Sequence, residues 1–154
     1  MKTLLLVALA MLMSAPMVQA LANDGACSTR AIAGQWVFAT NVGRQMLGEP
    51  FPPEKDITAI GTMNIDRHGN VSGTFDVTVQ DFAFIPGIPY NGSVTVNPDC
   101  TGILDFVTGV GSQRTDSIVV VNRREMLGMS QDPQNLWNYQ VRRIANHVAG
   151  DDDD

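Results

Sequence analysis

Residues 57–80 read ITAIGTMNIDRHGNVSGTFDVTVQ, two alternating runs joined by a tight turn. In the first run Ile57, Ala59, Gly61, Met63 and Ile65 share one face, opposite Thr58, Ile60, Thr62, Asn64 and Asp66. In the second, Val71, Gly73, Phe75, Val77 and Val79 oppose Ser72, Thr74, Asp76, Thr78 and Gln80. Successive side chains of a strand point to opposite faces, so both runs predict half-buried strands. Asp66 suits the first position of a type I turn, and Gly69 or Asn70 can take the positive φ that closes a short hairpin loop.

Working outward, similar strand signals fall at Gln35–Asn41, Tyr90–Asn97, Thr101–Thr108, Arg114–Asn122, Glu125–Gln131 and Leu136–Ile144. Aromatic and β-branched residues alternate with polar ones, and turn residues separate the runs. Apart from a short turn or helical piece at Ser28–Ala31, no helix is expected. The pattern predicts an all-β fold, an antiparallel up-and-down β-barrel of about eight strands, with a β-sandwich as the alternative. Two long connections stand out. Asn41–Asp56 carries Met46, Leu47 and Phe51 among prolines, and Asp81–Pro89 carries Phe82, Phe84 and Ile85 before Pro86 and Pro89. Both read as apolar, proline-bearing loops, one a packed plug or a lid.

The N-terminus reads as an export signal spanning residues 1–20. Lys2 precedes the apolar Thr3–Met13, and small residues then allow cleavage after Ala20 or Ala22. The apolar run is shorter than the roughly 18 residues that span a bilayer, which disfavours a membrane anchor. Cys27 has no leucine three residues before it, which disfavours a lipoprotein. The expected organisation is one domain over residues 27–146 and an acidic, solvated tail over 147–154, ending in Asp151–Asp154. The expected location is periplasmic or extracellular. Cys27 and Cys100 both fall in the exported part, where a disulfide is the default. That bond would pin the N-terminal segment to the Asn97–Cys100 turn.

The formal net charge is −6, and −7 once Lys2 leaves with the signal. An acidic chain without a basic cluster is a poor partner for nucleic acid or anionic lipid. No stretch after the signal could cross a membrane as a helix, so no stable membrane insertion is expected. Nothing in the sequence sets the oligomeric state.

No catalytic motif, metal cluster or cofactor fingerprint is present. His68 sits in the hairpin turn and His147 beside the tail. Asp66, Asp76, Asp81, Asp99 and Asp116 fall on turns or polar strand faces. Asp105 differs, because Ile103 and Val107 flank it on its own face, and burial would demand a partner such as Arg114, Arg142 or Arg143. The candidate ligand-binding residues are Trp36, Phe38, Tyr90, Asp105, Trp137 and Tyr139. The competing reading is that the aromatics fill the core. Asn70-Val71-Ser72 and Asn91-Gly92-Ser93 match the glycosylation pattern, but turn chemistry explains both.

Cys27, Gly34-Gln35-Trp36-Val37-Phe38, Ile65 to Gly73, Tyr90 to Val96 and Asn97-Pro98-Asp99-Cys100-Thr101-Gly102 together resemble a group of small exported bacterial proteins of unassigned function. The implied architecture is similar to calycin barrels and to the allene oxide cyclase barrel. The shared motifs are turn glycines and a cysteine pair, so the resemblance implies a fold and export and carries over no catalytic residue.

Three functions are in play. The first is a binding protein holding a small apolar or amphipathic ligand, with the two proline-bearing loops at one mouth. It requires an interior cavity on the scale of ligand sites, roughly 300 Å³ or more. The second is a structural or interaction module of the cell envelope, with a filled core and an exposed apolar patch. The third is a barrel cyclase or isomerase, which requires Asp105 or Tyr139 to face a pocket.

Overall fold

The computed structural model describes residues 27–45, 55–133 and 135–145, the side chains of Asn41, Val42 and Gln45 excepted. The expected export signal, the apolar centre of the first long connection, His147 and the acidic tail lie outside the described residues.

Eight antiparallel strands form a closed barrel in chain order: β1 (Gly34–Gln45), β2 (Lys55–Ile65), β3 (Asn70–Val79), β4 (Ala83–Val96), β5 (Thr101–Thr108), β6 (Gln113–Asn122), β7 (Glu125–Ser130) and β8 (Asn135–Ala145). β8 pairs back onto β1, with Phe38 opposite Val141. Closure leaves the eight described strands no free edge to template aggregation. The barrel, not the sandwich, is therefore the fold.

The opening hairpin is β2–β3, in the register Ile57 with Val79 and Ile65 with Val71. Its turn is held by Asp66, whose Oδ1 accepts from the His68 and Asn70 amides at 2.8 Å each. Gly69 takes the positive φ, +87°. His68 is exposed.

Two elements extend further than the residue pattern predicts. β1 continues to Gln45 across a bulge between Ala39 and Gly43. β4 starts at Ala83, so most of the expected loop Asp81–Pro89 is strand. Phe75 pairs with Ile88 and Val77 with Ile85, which leaves Pro86-Gly87 as the bulge opposite Asp76. Proline is tolerated where the ladder is interrupted. Gly87 has φ +64°, and its amide donates to Asp76 Oδ1 at 2.8 Å.

The inward faces supply the core: Ile57, Ala59, Met63 and Ile65 from β2, Val71 and Val77 from β3, Val94 and Val96 from β4, then Leu104, Ile118, Val120, Met126 and Val141. The inward aromatics meet glycines on neighbouring strands. Phe38 is registered with Gly61, Tyr90 with Gly73, Phe106 with Gly92 and Tyr139 with Gly128. A Cβ added at any of these four glycines would lie within 2.8 Å of its aromatic partner. The missing side chains make room for the rings, so glycine and aromatic act as one unit.

One barrel end is sealed. A 3₁₀ turn, Arg30–Ile32, places Ile32 and Trp36 in full burial. The Trp36 indole donates to the Ile32 carbonyl at 2.9 Å. Arg143 lies 4.6 Å over the Trp36 ring and donates to the Ala31 carbonyl at 2.8 Å. The Val96 amide donates to Thr29 Oγ1 at 3.1 Å. The Cys27–Cys100 disulfide, with Cα atoms 4.8 Å apart, ties this cap to the β4–β5 turn.

Candidate functional site

The opposite end is built differently. The β3–β4, β5–β6 and β7–β8 turns lie there, and β1 leaves and β2 enters there, with Gln45 opposite Lys55. Large apolar side chains stand exposed around it: Phe84 at 62%, Val110 at 74% and Leu136 at 56%.

Beneath this rim lies an interior cavity of about 40 Å³. Phe38, Met63, Phe75, Tyr90, Leu104 and Phe106 form its apolar wall, and Arg114, Asp116, Trp137 and Tyr139 its polar side. The aromatics interlock edge to face, Phe75 on Tyr90 at 5.8 Å and Tyr90 on Phe106 at 5.5 Å between ring centroids. Phe106, Arg114 and Trp137 are partly exposed and belong to the strand segments nearest the rim.

Asp116 is the chemical centre. It is 3% exposed, registered between Leu104 on β5 and Ser130 on β7. Its Oδ2 accepts from the Tyr139 hydroxyl at 2.8 Å. Its Oδ1 is buried with no hydrogen-bond partner among the described residues, and so is the Trp137 Nε1 donor. Burial raises the Asp116 carboxyl above the usual carboxylate range, against the opposing pull of the Tyr139 hydrogen bond and the Arg114 charge. Burial, then the Asp116 charge, drives the Tyr139 phenol well above its ordinary value. The Arg114 guanidinium lies 4.4 Å over the Trp137 ring. Burial lowers its pKa, while Asp116 and Asp132 favour its charge. Tyr90 donates to the Thr62 carbonyl at 2.9 Å, and burial pushes its phenol up as well. The arrangement is a neutral phenol clamping a buried carboxyl group, with a cation at the entrance. Among the described residues no group of three His, Cys, Asp or Glu could hold a metal.

Of the six candidate residues, the structure brings Phe38, Tyr90, Trp137 and Tyr139 to this cavity. Trp36 lies in the sealed end instead. Asp105 is a correction. Leu104 and Phe106 occupy the inward phase of β5, so Asp105 points outward, is exposed and accepts from Thr115 Oγ1 at 2.5 Å. Its apolar neighbours Ile103 and Val107 are themselves exposed, so they carried no signal of burial. The buried acid is Asp116, which the residue pattern assigned to a turn or polar face. Arg114, a suggested partner of Asp105, sits inside beside Asp116. The signal that could have found it is the phase of Asp116, Ile118 and Val120; the apolar Val119 and Val121 on the other face hid it.

The outer surface is two-sided. β2–β4 present Thr58, Thr62, Ser72, Thr74, Thr78, Asn91, Ser93 and Thr95, all exposed. β5–β7 present Ile103, Val119, Val121, Leu127 and Met129. An open groove of about 490 Å³ crosses the outer wall over β8, β1, β2 and β3, between Arg142, Ile60 and Asp76. No protein-family model matches the chain, and no curated protein matches it.

Proposed function

We propose that the protein is an exported barrel that binds a small amphipathic ligand at its open end, the apolar part on the rim and the polar end in the cavity below. The observation that carries this reading is the difference between the two ends. One is plugged by Ile32 and Trp36 and tied by a disulfide; the other has an apolar rim above buried, unpartnered polar atoms. The cavity is too small to enclose a ligand of ordinary size, which needs about 300 Å³ or more. The interior-held ligand expected from the residue pattern is therefore replaced by one seated mainly at the mouth. The signal-like N-terminus and the disulfide support export. The apolar interior is the reverse of a membrane-spanning barrel's polar lumen, which supports a role outside the bilayer. Likeness to calycin and allene oxide cyclase barrels is part of the same proposal and rests on the eight-strand up-and-down closure.

Native mass spectrometry of the protein purified from its own host tests the reading. A retained small amphipath, lost in Phe84→Ser/Leu136→Ser, is the expected result. A ligand-free protein, or retention unaffected by both changes, would overturn it.

A second reading, an interaction module of the cell envelope, is favoured by the apolar outer face of β5–β7. Large contiguous exposed apolar patches mark contact sites. Leu127→Lys/Met129→Lys should then abolish cross-linked partners in the host envelope and leave ligand retention intact. Unchanged cross-linking would remove this reading.

A further inference from the structure

We propose that the cavity beneath the rim is a head-group site that selects neutral groups carrying both a donor and an acceptor, a primary amide or primary alcohol, over carboxylates and amines. The proposal rests on the open-end reading above and specifies the polar end of that ligand.

Three observations carry it. First, two buried polar atoms on the cavity residues lack partners among the described residues, and they are of opposite kind. Asp116 Oδ1 is an acceptor and Trp137 Nε1 a donor. Buried polar groups in native folds are almost always satisfied by protein or by water, so each is open to a group brought from outside the chain. Second, the fixed charges at the site oppose one another. The Arg114 guanidinium lines the same cavity as the Asp116 carboxyl. A carboxylate brought in would face Asp116, and an ammonium would face Arg114, in surroundings where like charges are poorly screened. A neutral group meets neither conflict. Third, the space is right for a small polar end and nothing larger. A water needs roughly 10–15 Å³ of such volume. The cavity of about 40 Å³ therefore holds roughly three water-sized groups, the size of a –CONH₂ or –CH₂OH end. An amide would donate to Asp116 Oδ1 and accept from Trp137 Nε1, while its alkyl chain leaves past the partly exposed Arg114 and Phe106.

The test is calorimetric titration of the intact, disulfide-bonded protein with four probes sharing one tail: hexanamide, 1-hexanol, hexanoate and hexylammonium. The amide and the alcohol should bind, with the two ions weaker by about tenfold or more. Asp116→Asn leaves Arg114 unopposed, so the preference should reverse, with hexanoate gaining about tenfold or more over hexanamide. Trp137→Phe keeps a ring under Arg114 and removes the donor, so both neutral probes should weaken. Equal binding of all four probes to the native protein would overturn the head-group assignment and leave the open-end reading standing. No binding of any probe would overturn both. A preference in the native protein that Asp116→Asn leaves unchanged would also overturn the assignment, because a purely structural Asp116 sets no charge preference.

Discussion

Replacing Tyr139 by Phe removes one hydroxyl and leaves the ring on Gly128. The lost contact is the 2.8 Å hydrogen bond to Asp116 Oδ2. Asp116 Oδ1 already lacks a partner among the described residues, so both oxygens of a nearly fully buried carboxyl would then be unsatisfied. Where Asp116 is charged, such a bond contributes about 1.5–3 kcal/mol; where it is protonated, about 0.5–1.5 kcal/mol. The deficit should therefore depend on pH. Burial raises the folded-state pKa of Asp116 above 3.8. Between 3.8 and the folded value the native state holds a proton that the unfolded chain has released, so stability is present on the acid side and falls as pH rises through the folded pKa. Tyr139→Phe removes an interaction that lowers this pKa, so the fall extends to higher pH and the deficit widens. Asp66 and Asp99 run the other way. Burial opposes the shift at Asp66, but hydrogen bonds from Asn70 and His68 hold it low, and those from Thr101 hold Asp99 low. Their contributions are lost on acidification below about 3.8 in every variant and cancel in the difference. Urea unfolding of the native protein, Tyr139→Phe and Asp116→Asn from pH 4 to 8 reads this directly. Tyr139→Phe should lose between about 0.5 and 3 kcal/mol, more at the alkaline end of this range than at the acid end, with an unchanged denaturant slope. Asp116→Asn should flatten the profile above pH 4. A Tyr139→Phe deficit that is constant with pH, or below about 0.5 kcal/mol throughout, would refute the buried-carboxylate reasoning.

Cys27→Ser/Cys100→Ser opens a loop of sequence separation 73 and should cost about 4 kcal/mol on the chain-entropy account, read as a lowered urea midpoint. A midpoint within error of the native protein would show that the cap holds without the bond. Gly128→Ala places a Cβ 2.1 Å from Tyr139 Cζ, so it should destabilise by about 1–3 kcal/mol and disturb the Asp116 pair. Chemical denaturation with near-ultraviolet dichroism checks both effects. Arg114→Met removes the cation 4.4 Å above Trp137 and should cost about 0.5–2 kcal/mol with a changed Trp137 emission. Unchanged fluorescence would place the guanidinium elsewhere in solution.

The fold was legible because alternation survives at Ile57–Gln80 and Tyr90–Asn97, where one face is apolar and the other Thr- or Ser-rich. It blurred where both faces are apolar. On β5 and β6, Ile103, Val107, Val119 and Val121 are exposed although their types suggest burial, so residue types alone set no phase for Asp105 and Asp116. The prolines of Asp81–Pro89 read as a loop because a bulge is invisible without its partner strand; only the pairing of Phe75 and Val77 shows that Pro86-Gly87 is the inserted pair. Phe38, Tyr90, Trp137 and Tyr139 could be named as aromatic supply, but not their glycine partners, since Gly61, Gly73, Gly92 and Gly128 meet the rings only through cross-strand register. Trp36 was indistinguishable from them by type and went to the sealed end because the 3₁₀ turn at Arg30–Ile32 receives its indole.

The two indoles allow the most direct test. Trp36 Nε1 is buried and bonded to Ile32 at the sealed end, whereas Trp137 lines the cavity at the open end and its Nε1 is buried without a partner among the described residues. In a ¹H–¹⁵N spectrum titrated with hexanamide, the Trp137 indole resonance should shift progressively and the Trp36 resonance should stay in place. A spectrum in which neither moves, or in which both move together, would contradict a ligand site at the open end of the barrel.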